Sequence, residues 1–489
     1  VSTLSEAAAP DASLRSQVRS AVIWRSGTQV FSQLLSWAST FLVIRILAPA
    51  DYGLFAMTSV VLVLLGLLNG YGFANAAIQD RAGGKTQLRQ LFGLLIVVNG
   101  ALAAVQFLTA PLVAAYYQQP QVTALLQVQA LIYLTNPFLA LGYAVLSREM
   151  DFRKQAQVNV GSAILSALVA LAGAMAGLGV WTLIVAPLTG FVTRALGMMT
   201  VARAWMWPSF NFRGSRALAD YGGIVMAGQV FWFLQTQADI IIAGRMLPAH
   251  ELGFYTTSLF LAQIFVNKVV PPLNEVAFSA YARMQDDRAA LAEGFLTKVR
   301  AIMLLSIPFC LGLAAVAEPA IQVMLGEKWL PAAPVVRLLA LTMPFMTLHV
   351  LFAPATNAVG RPGIATRSAV LGSIVMPLAF YLGVRWGGAE GIAAGWLLGY
   401  PIITFVTALW AMPVLGVTMA RLGQSLLPTV LAGSAMAMVV TLVDQAAHGL
   451  HPAARLLVLV AAGGATYGLW LLGFARERLA EAWALVRKK

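Results

Sequence analysis

Apolar runs long enough to cross the ~30 Å hydrocarbon core of a bilayer, which takes about 20 helical residues, succeed one another along nearly the whole chain. They predict fourteen spans, over 21–47, 54–79, 91–113, 122–146, 156–177, 180–202, 221–247, 254–280, 299–321, 334–356, 368–384, 391–412, 425–445 and 454–474. The polar segments between them are short, none exceeding about twenty residues, which leaves little room for an extramembrane catalytic domain. Within span one, Arg25, Gln29, Ser32, Ser36 and Ser39 step by four and three and share one helical face. A polar stripe on a lipid-embedded helix must face protein or water.

The pattern also repeats. The stretch "VIRILAPADYG" at 43–53 returns as "AGRMLPAHELG" at 243–253. Aligned without a gap, Gln29, Val30, Phe31, Leu34, Ala38, Arg45, Leu47 and Gly53 fall on Gln229, Val230, Phe231, Leu234, Ala238, Arg245, Leu247 and Gly253, and Asp51 meets Glu251. This is an internal duplication. Six spans separate the two starts, and an even number returns the chain to the same side, so the repeats are parallel, a plan known from transporters with substrate held between two lobes. The expected organisation is a tail (1–20), an N-lobe (21–202), an inter-lobe loop (203–220), a C-lobe (221–412), two added helices (425–474) and a tail (475–489). Gly53 and Gly253 are expected to permit the turn after the first helix of each lobe, and Pro49 and Pro248 to break the helix.

Composition agrees with the pattern. Of 489 residues, 60% are hydrophobic and 10% charged, where soluble proteins carry about 25% charged residues. The fold class is therefore an all-α integral membrane protein of about fourteen transmembrane helices, two six-helix lobes plus two. The net charge of +13 does not point to nucleic acid. With the N-terminus inside, most of the 32 Lys and Arg fall in cytoplasmic segments and few in outer loops, as the positive-inside rule requires. The charge sets orientation and meets anionic lipid, with both termini cytoplasmic. Residues 1–20 lack the pattern of a secretory signal, and the final "FARERLAEAWALVRKK" reads as an interfacial amphipathic helix.

Several motifs are set aside. "GGKT" at 83–86 resembles a P-loop, but that motif needs glycine where Gln79 stands and a preceding strand. His250, His349, His448 and His451 are scattered, and Cys310 is alone in an apolar span, so no metal, cofactor or disulfide is expected. The chain does not read as an enzyme.

The loop "RILAPADYGLFAM", the end of span two with "YGFANAAIQ", the loop "SREMDFRKQA" and the fourteen-span layout resemble the polysaccharide-transport (Wzx-type) flippases. These belong to the multidrug/oligosaccharidyl-lipid/polysaccharide exporter superfamily. The resemblance covers most of residues 15–475, and it implies transfer of undecaprenyl-pyrophosphate-linked oligosaccharide from the inner to the outer leaflet of the bacterial inner membrane. It implies that substrate, membrane lipids, and a glycan polymerase and export machinery as partners. It also implies that basic residues in the first and eighth helices matter for transport, and Arg25 and Lys268 occupy those helices here.

The residues themselves support candidates. Lys268 lies about 21 Å along its helix from Phe254 and about 18 Å from Ala280, too deep to snorkel comfortably to either interface. It is expected to face a wet cavity, or else to pair with Glu275 inside the bundle. Arg25 lies nearer an end and could reach headgroups, but it begins the polar stripe. Gln229, Trp232, Thr236 and Asp239 match that stripe position for position in span seven, so the two faces are expected to line a shared cavity, with hydrogen-bond glue between helices as the alternative. The substrate-binding candidates are thus Arg25, Lys268, Gln29, Ser32, Ser36, Gln229 and Thr236. Asp239, the acid deepest within a span, is the ion-coupling candidate, or else a structural partner for a cation such as Arg245. Arg45 and Arg245 read as orientation anchors, while Asn69, Asn75, Pro271 and Pro272 would kink or line the second helix of each lobe. The alternative function is a cation-coupled multidrug exporter of the same fold, which should carry carboxylates in its cavity where span one offers Arg25.

Overall fold

The computed structural model describes residues 12–68, 84–149, 151–211 and 216–474, with side chains for all of these except 12–26, 29, 30 and 216–229. Among the described residues there is no strand. The helices are α1 (Ala12–Ile46), α2 (Pro49–Gly66), α3 (Gly84–Tyr117), α4 (Gln121–Gln129), α5 (Leu131–Arg148), α6 (Phe152–Met175), α7 (Val180–Val201) and α8 (Arg216–Met246). They continue as α9 (Ala249–Lys268), α10 (Val270–Arg283), α11 (Arg288–Ala315), α12 (Ala317–Met324), α13 (Ala333–Ala358), α14 (Gly363–Leu415), α15 (Met419–Ala447) and α16 (Pro452–Phe474). A 3-10 turn, Glu327–Ala332, precedes α13.

The expected spans fall on these helices, span four across α4 and α5 and span nine across α11 and α12, while the end of span two (69–79), with Asn69 and Asn75, lies outside the described residues, as does the 475–489 tail. Helix dominates because hydrocarbon offers the backbone no hydrogen-bond partner. The protein is a multi-pass, all-α integral membrane protein. Spans eleven and twelve are one continuous element, α14, turned at Gly387 and Gly388; Gly388 has φ +54°, a conformation that glycine adopts without strain. Span eight is instead broken: α9 ends at Lys268, Val269 intervenes, and Pro271 and Pro272 open α10, where missing N–H groups are tolerated.

The contacts gather the chain into two compact units, one built on α1, the part of α2 from Val61 onward and α3 to α7, the other on Ala48–Val60 and α8 to α16. The first unit has a core around Leu88, Phe92, Leu141 and Met198. The second is packed around Phe295, Leu351, Phe352 and Leu415, with Phe295 and Phe352 stacked at 5.8 Å. The added helices are fastened to the second unit. Arg455 of α16 grips Asp444 of α15 with two hydrogen bonds of 2.7 and 2.8 Å and reaches Glu318 of α12 at 3.7 Å, and the Tyr467 hydroxyl donates to the Leu304 carbonyl of α11.

The duplicated motif has a different role from the turn expected of its glycines. Gly53 and Gly253 both lie inside helices, and neither has a positive φ. Within the second unit they face each other's helix: a Cβ on Gly53 would land on the Ala249 carbonyl, and one on Gly253 on the Pro49 carbonyl. The glycines are there for a close helix crossing, in which two backbones approach as only small residues allow. The turn belongs to the prolines, with Pro49 opening α2 and Pro248 capping α9. Trp329, fully buried, packs edge-on against Tyr52 and Phe254 beside this crossing.

Candidate functional site

The first unit holds a partly open cavity of about 570 Å³ with many polar side chains in its walls. Its walls come from α1 (Thr28, Ser32, Gln33, Ser36), α5 (Tyr143), α6 (Phe152, Gln155, Asn159, Ser162, Ser166) and α7 (Pro187, Gly190, Phe191, Arg194). The hydroxyls on α1 follow from its four-and-three stepping, which turns Ser32 and Ser36 to one side. Several groups make local bonds: Ser162 donates to the Asn159 carbonyl, Ser166 to the Ala186 carbonyl, and Gln155 to Ser147. Others do not. The Ser32 hydroxyl, the Asn159 side-chain carbonyl and the Arg194 Nε are buried without a hydrogen-bond partner among the described residues. Buried polar atoms are nearly always satisfied, so three unspent ones in one cavity mark a surface suited to a polar ligand.

The second unit holds the other candidates. Lys268 is exposed on the last turn of α9, directly at the break in span eight, and Glu275 is exposed beyond it on α10. A cation there is favoured by the partial negative charge of the helix C-terminus. Asp239 lies elsewhere: it is fully buried, enclosed by α8, α9 and α14. The Tyr255 hydroxyl donates to its Oδ2 at 2.6 Å and the Ile240 N–H to its Oδ1 at 2.8 Å, while Trp396 Nε1 donates to Tyr255 at 2.6 Å. Tyr400 stacks on Trp396 at 5.1 Å and meets His349 edge-on, and the His349 Nε2 lies 2.8 Å from Ser368 Oγ, which lies 2.7 Å from Thr407 Oγ1.

The structure thus brings Ser32 and Ser36 together in a cavity, places Lys268 at a helix break and buries Asp239. Thr236 is half-buried and spends its hydroxyl on the Trp232 carbonyl of its own helix. Arg25, Gln29 and Gln229 lie on α1 and α8 with side chains outside the described set. The stripe on α8 divides, with Trp232 exposed and Asp239 enclosed by protein. No group of three His, Cys, Asp or Glu converges among the described residues.

Arg194, Tyr255 and Trp396 were not among the sequence candidates. A signal for Arg194 existed in a second repeat: "PLTGFVTRAL" at 187–196 matches "PIITFVTALW" at 401–410, Pro187 on Pro401 and Phe191-Val192-Thr193 on Phe405-Val406-Thr407. Arg194 then stands where the other lobe has Ala408, a buried core residue.

A duplicated bundle of membrane-crossing helices, with a polar cavity inside one unit and a buried acid in the other, defines a transporter fold. Solved structures share it: the lipid II flippase MurJ in an inward closed conformation matches with TM-score 0.73 at 14% identity, over 94% of this chain and all of that one. An inward-facing multidrug resistance MATE transporter of the MOP superfamily matches with TM-score 0.62 at 13% identity, over 81% of this chain and 98% of that one. The chain belongs to the polysaccharide biosynthesis protein family, whose model matches residues 42–334. The succinoglycan biosynthesis transport protein ExoT of Rhizobium meliloti is 25% identical over 381 residues, 77% of this chain and 76% of that protein. The teichuronic acid biosynthesis protein TuaB of Bacillus subtilis is 26% identical over 413 residues, 82% of this chain and 84% of that protein.

Proposed function

We propose that this protein carries lipid-linked oligosaccharide, built on undecaprenyl pyrophosphate, from the inner to the outer leaflet of a bacterial inner membrane by alternating access. The observation that carries the reading, beyond family membership, is the cavity of the first unit with its hydroxyl and amide groups, whose described lining holds a cation and no acid. Such a surface suits sugars. It does not suit the cationic drugs of the alternative exporter reading, which call for carboxylates. Arg25 and Lys268 are the cations offered to the pyrophosphate, and Gln29, Ser32, Ser36, Gln229 and Thr236 solvate polar parts of the substrate. The polyprenyl chain stays in lipid.

Asp239 couples the cycle to membrane energy through Tyr255 and Trp396. Moving one charge through 100 mV supplies about 2.3 kcal/mol, enough to bias states that differ by little. In proteoliposomes holding undecaprenyl-pyrophosphate-linked oligosaccharide, flipping is expected to rise with an imposed ion gradient or potential and to need no ATP. Asp239→Asn should lose that response. ATP-dependent flipping that ignores gradient and potential would sink the reading.

Orientation is a separate expectation. Lys85 and Lys328 are both exposed. With cysteine placed at each in turn, an impermeant reagent outside the cell should label position 328 and spare 85; the reverse pattern would invert the topology.

A further inference from the structure

The cation in the first unit's cavity has no role in the pyrophosphate site just described. Arg194 projects from α7 about 21 Å along the helix from Val180 and about 10 Å from Val201. Its Nε is buried without a hydrogen-bond partner among the described residues. None of the described residues lining the cavity is acidic, so none of them supplies the counter-charge. The fold does not require the arrangement either, since the repeat-related position in the second unit is Ala408, sealed in a hydrophobic core. One unit has a packed alanine where the other has a charge beside a cavity. Arg194 is half-buried with its Nε shut away from water, and a planar two-oxygen anion offers a guanidinium two parallel hydrogen bonds. The neighbouring Ser32 hydroxyl and Asn159 carbonyl are also unspent, and they suit the hydroxyls that flank a carboxylate on a sugar ring.

We propose that this cavity is a glycan subsite for an acidic sugar, with Arg194 paired to the sugar carboxylate and Ser32 and Asn159 bonded to adjacent hydroxyls. The proposal rests on the flippase reading and narrows its substrate to a repeat unit that carries a carboxylate. It also separates two anions of one substrate, the sugar carboxylate at Arg194 and the pyrophosphate at Lys268.

The test uses the full-length protein in proteoliposomes with two probes that differ in one group: an undecaprenyl-pyrophosphate-linked oligosaccharide bearing glucuronate, and the same lipid with that carboxyl reduced to the alcohol. Wild type should flip the acidic lipid at least about tenfold faster, the loss expected when a charge-assisted hydrogen bond is removed. Arg194→Gln should bring the preference below about twofold, Arg194→Lys should keep part of it, and both should match wild type in membrane abundance and chromatographic profile. Equal rates for both lipids in wild type, or an unchanged preference in a folded Arg194→Gln, would overturn the proposal. If Arg194→Gln slowed both lipids equally, the guanidinium would serve the shared pyrophosphate, and the proposal would again be wrong. Failure of wild type to flip either lipid would instead refute the flippase reading, and the subsite with it.

Discussion

Gly253→Val is expected to leave little protein in the membrane, and Gly53→Val to do the same. Each glycine sits where a Cβ would overlap a backbone carbonyl of the facing helix, Pro49 for Gly253 and Ala249 for Gly53. A clash with a flexible side chain can relax by a rotamer change, but a carbonyl moves only with its helix. The overlap must therefore push α2 and α9 apart. That would also pull Tyr52 and Phe254 away from buried Trp329. Overpacking of this kind typically costs about 1–3 kcal/mol, and a backbone clash belongs at or above the upper end. Gly464→Ala on α16, where nothing lies within 4 Å of the new Cβ, should stay within about 0.5 kcal/mol of wild type. Membrane abundance and thermal unfolding in detergent measure both. A stable, abundant Gly253→Val would mean that the crossing opens at little cost.

Those two glycines also show what the sequence could and could not convey. The membrane-crossing helices were legible because a bilayer imposes one length and one composition on each, and ten helical stretches among the described residues are long and apolar enough to cross it. The duplication was legible because Arg, Leu and Gly recur in register in so apolar a chain. The use of the glycines was hidden, since a glycine near a proline fits a turn and a helix crossing equally well, and only the partner's position tells them apart. Asp239 was visible as an acid within a span, yet its partners, Tyr255 and Trp396, come from other helices and look like any aromatic residue in a membrane protein. In the sequence Arg194 has no such signature, since a lone arginine about 10 Å from a helix end resembles a snorkelling anchor. Its meaning came from what surrounds it: an acid-free polar cavity and a repeat partner that is Ala408.

Lys268→Ala is expected to abolish or strongly reduce export while the protein still reaches the membrane. Lys268 closes α9 where span eight is interrupted, a position held by the helix C-terminus and followed by the Pro271-Pro272 pair that starts α10. Interrupted helices concentrate unpaired backbone groups and charge at one level of the membrane, and in transporters that level is where ligand charge is met. A pyrophosphate entering a low-dielectric cavity must exchange its hydration for charged donors. Losing one costs about 1.5–3 kcal/mol, so binding should fall about ten- to a hundredfold. Lys268→Met, which keeps the stem without the charge, should behave like alanine, and Lys268→Arg should retain much of the activity. Because alanine at an exposed position removes no packing, abundance should hold, which separates loss of function from loss of fold. Arg25→Glu should be worse than Arg25→Ala, since a carboxylate repels the anion it replaces a partner for. Export of lipid-linked glycan, read as its accumulation in the inner leaflet, measures all five variants. Normal export by both Lys268→Ala and Arg25→Ala at wild-type abundance would show that no cationic site of this kind exists, and the multidrug-exporter reading would gain the ground it loses.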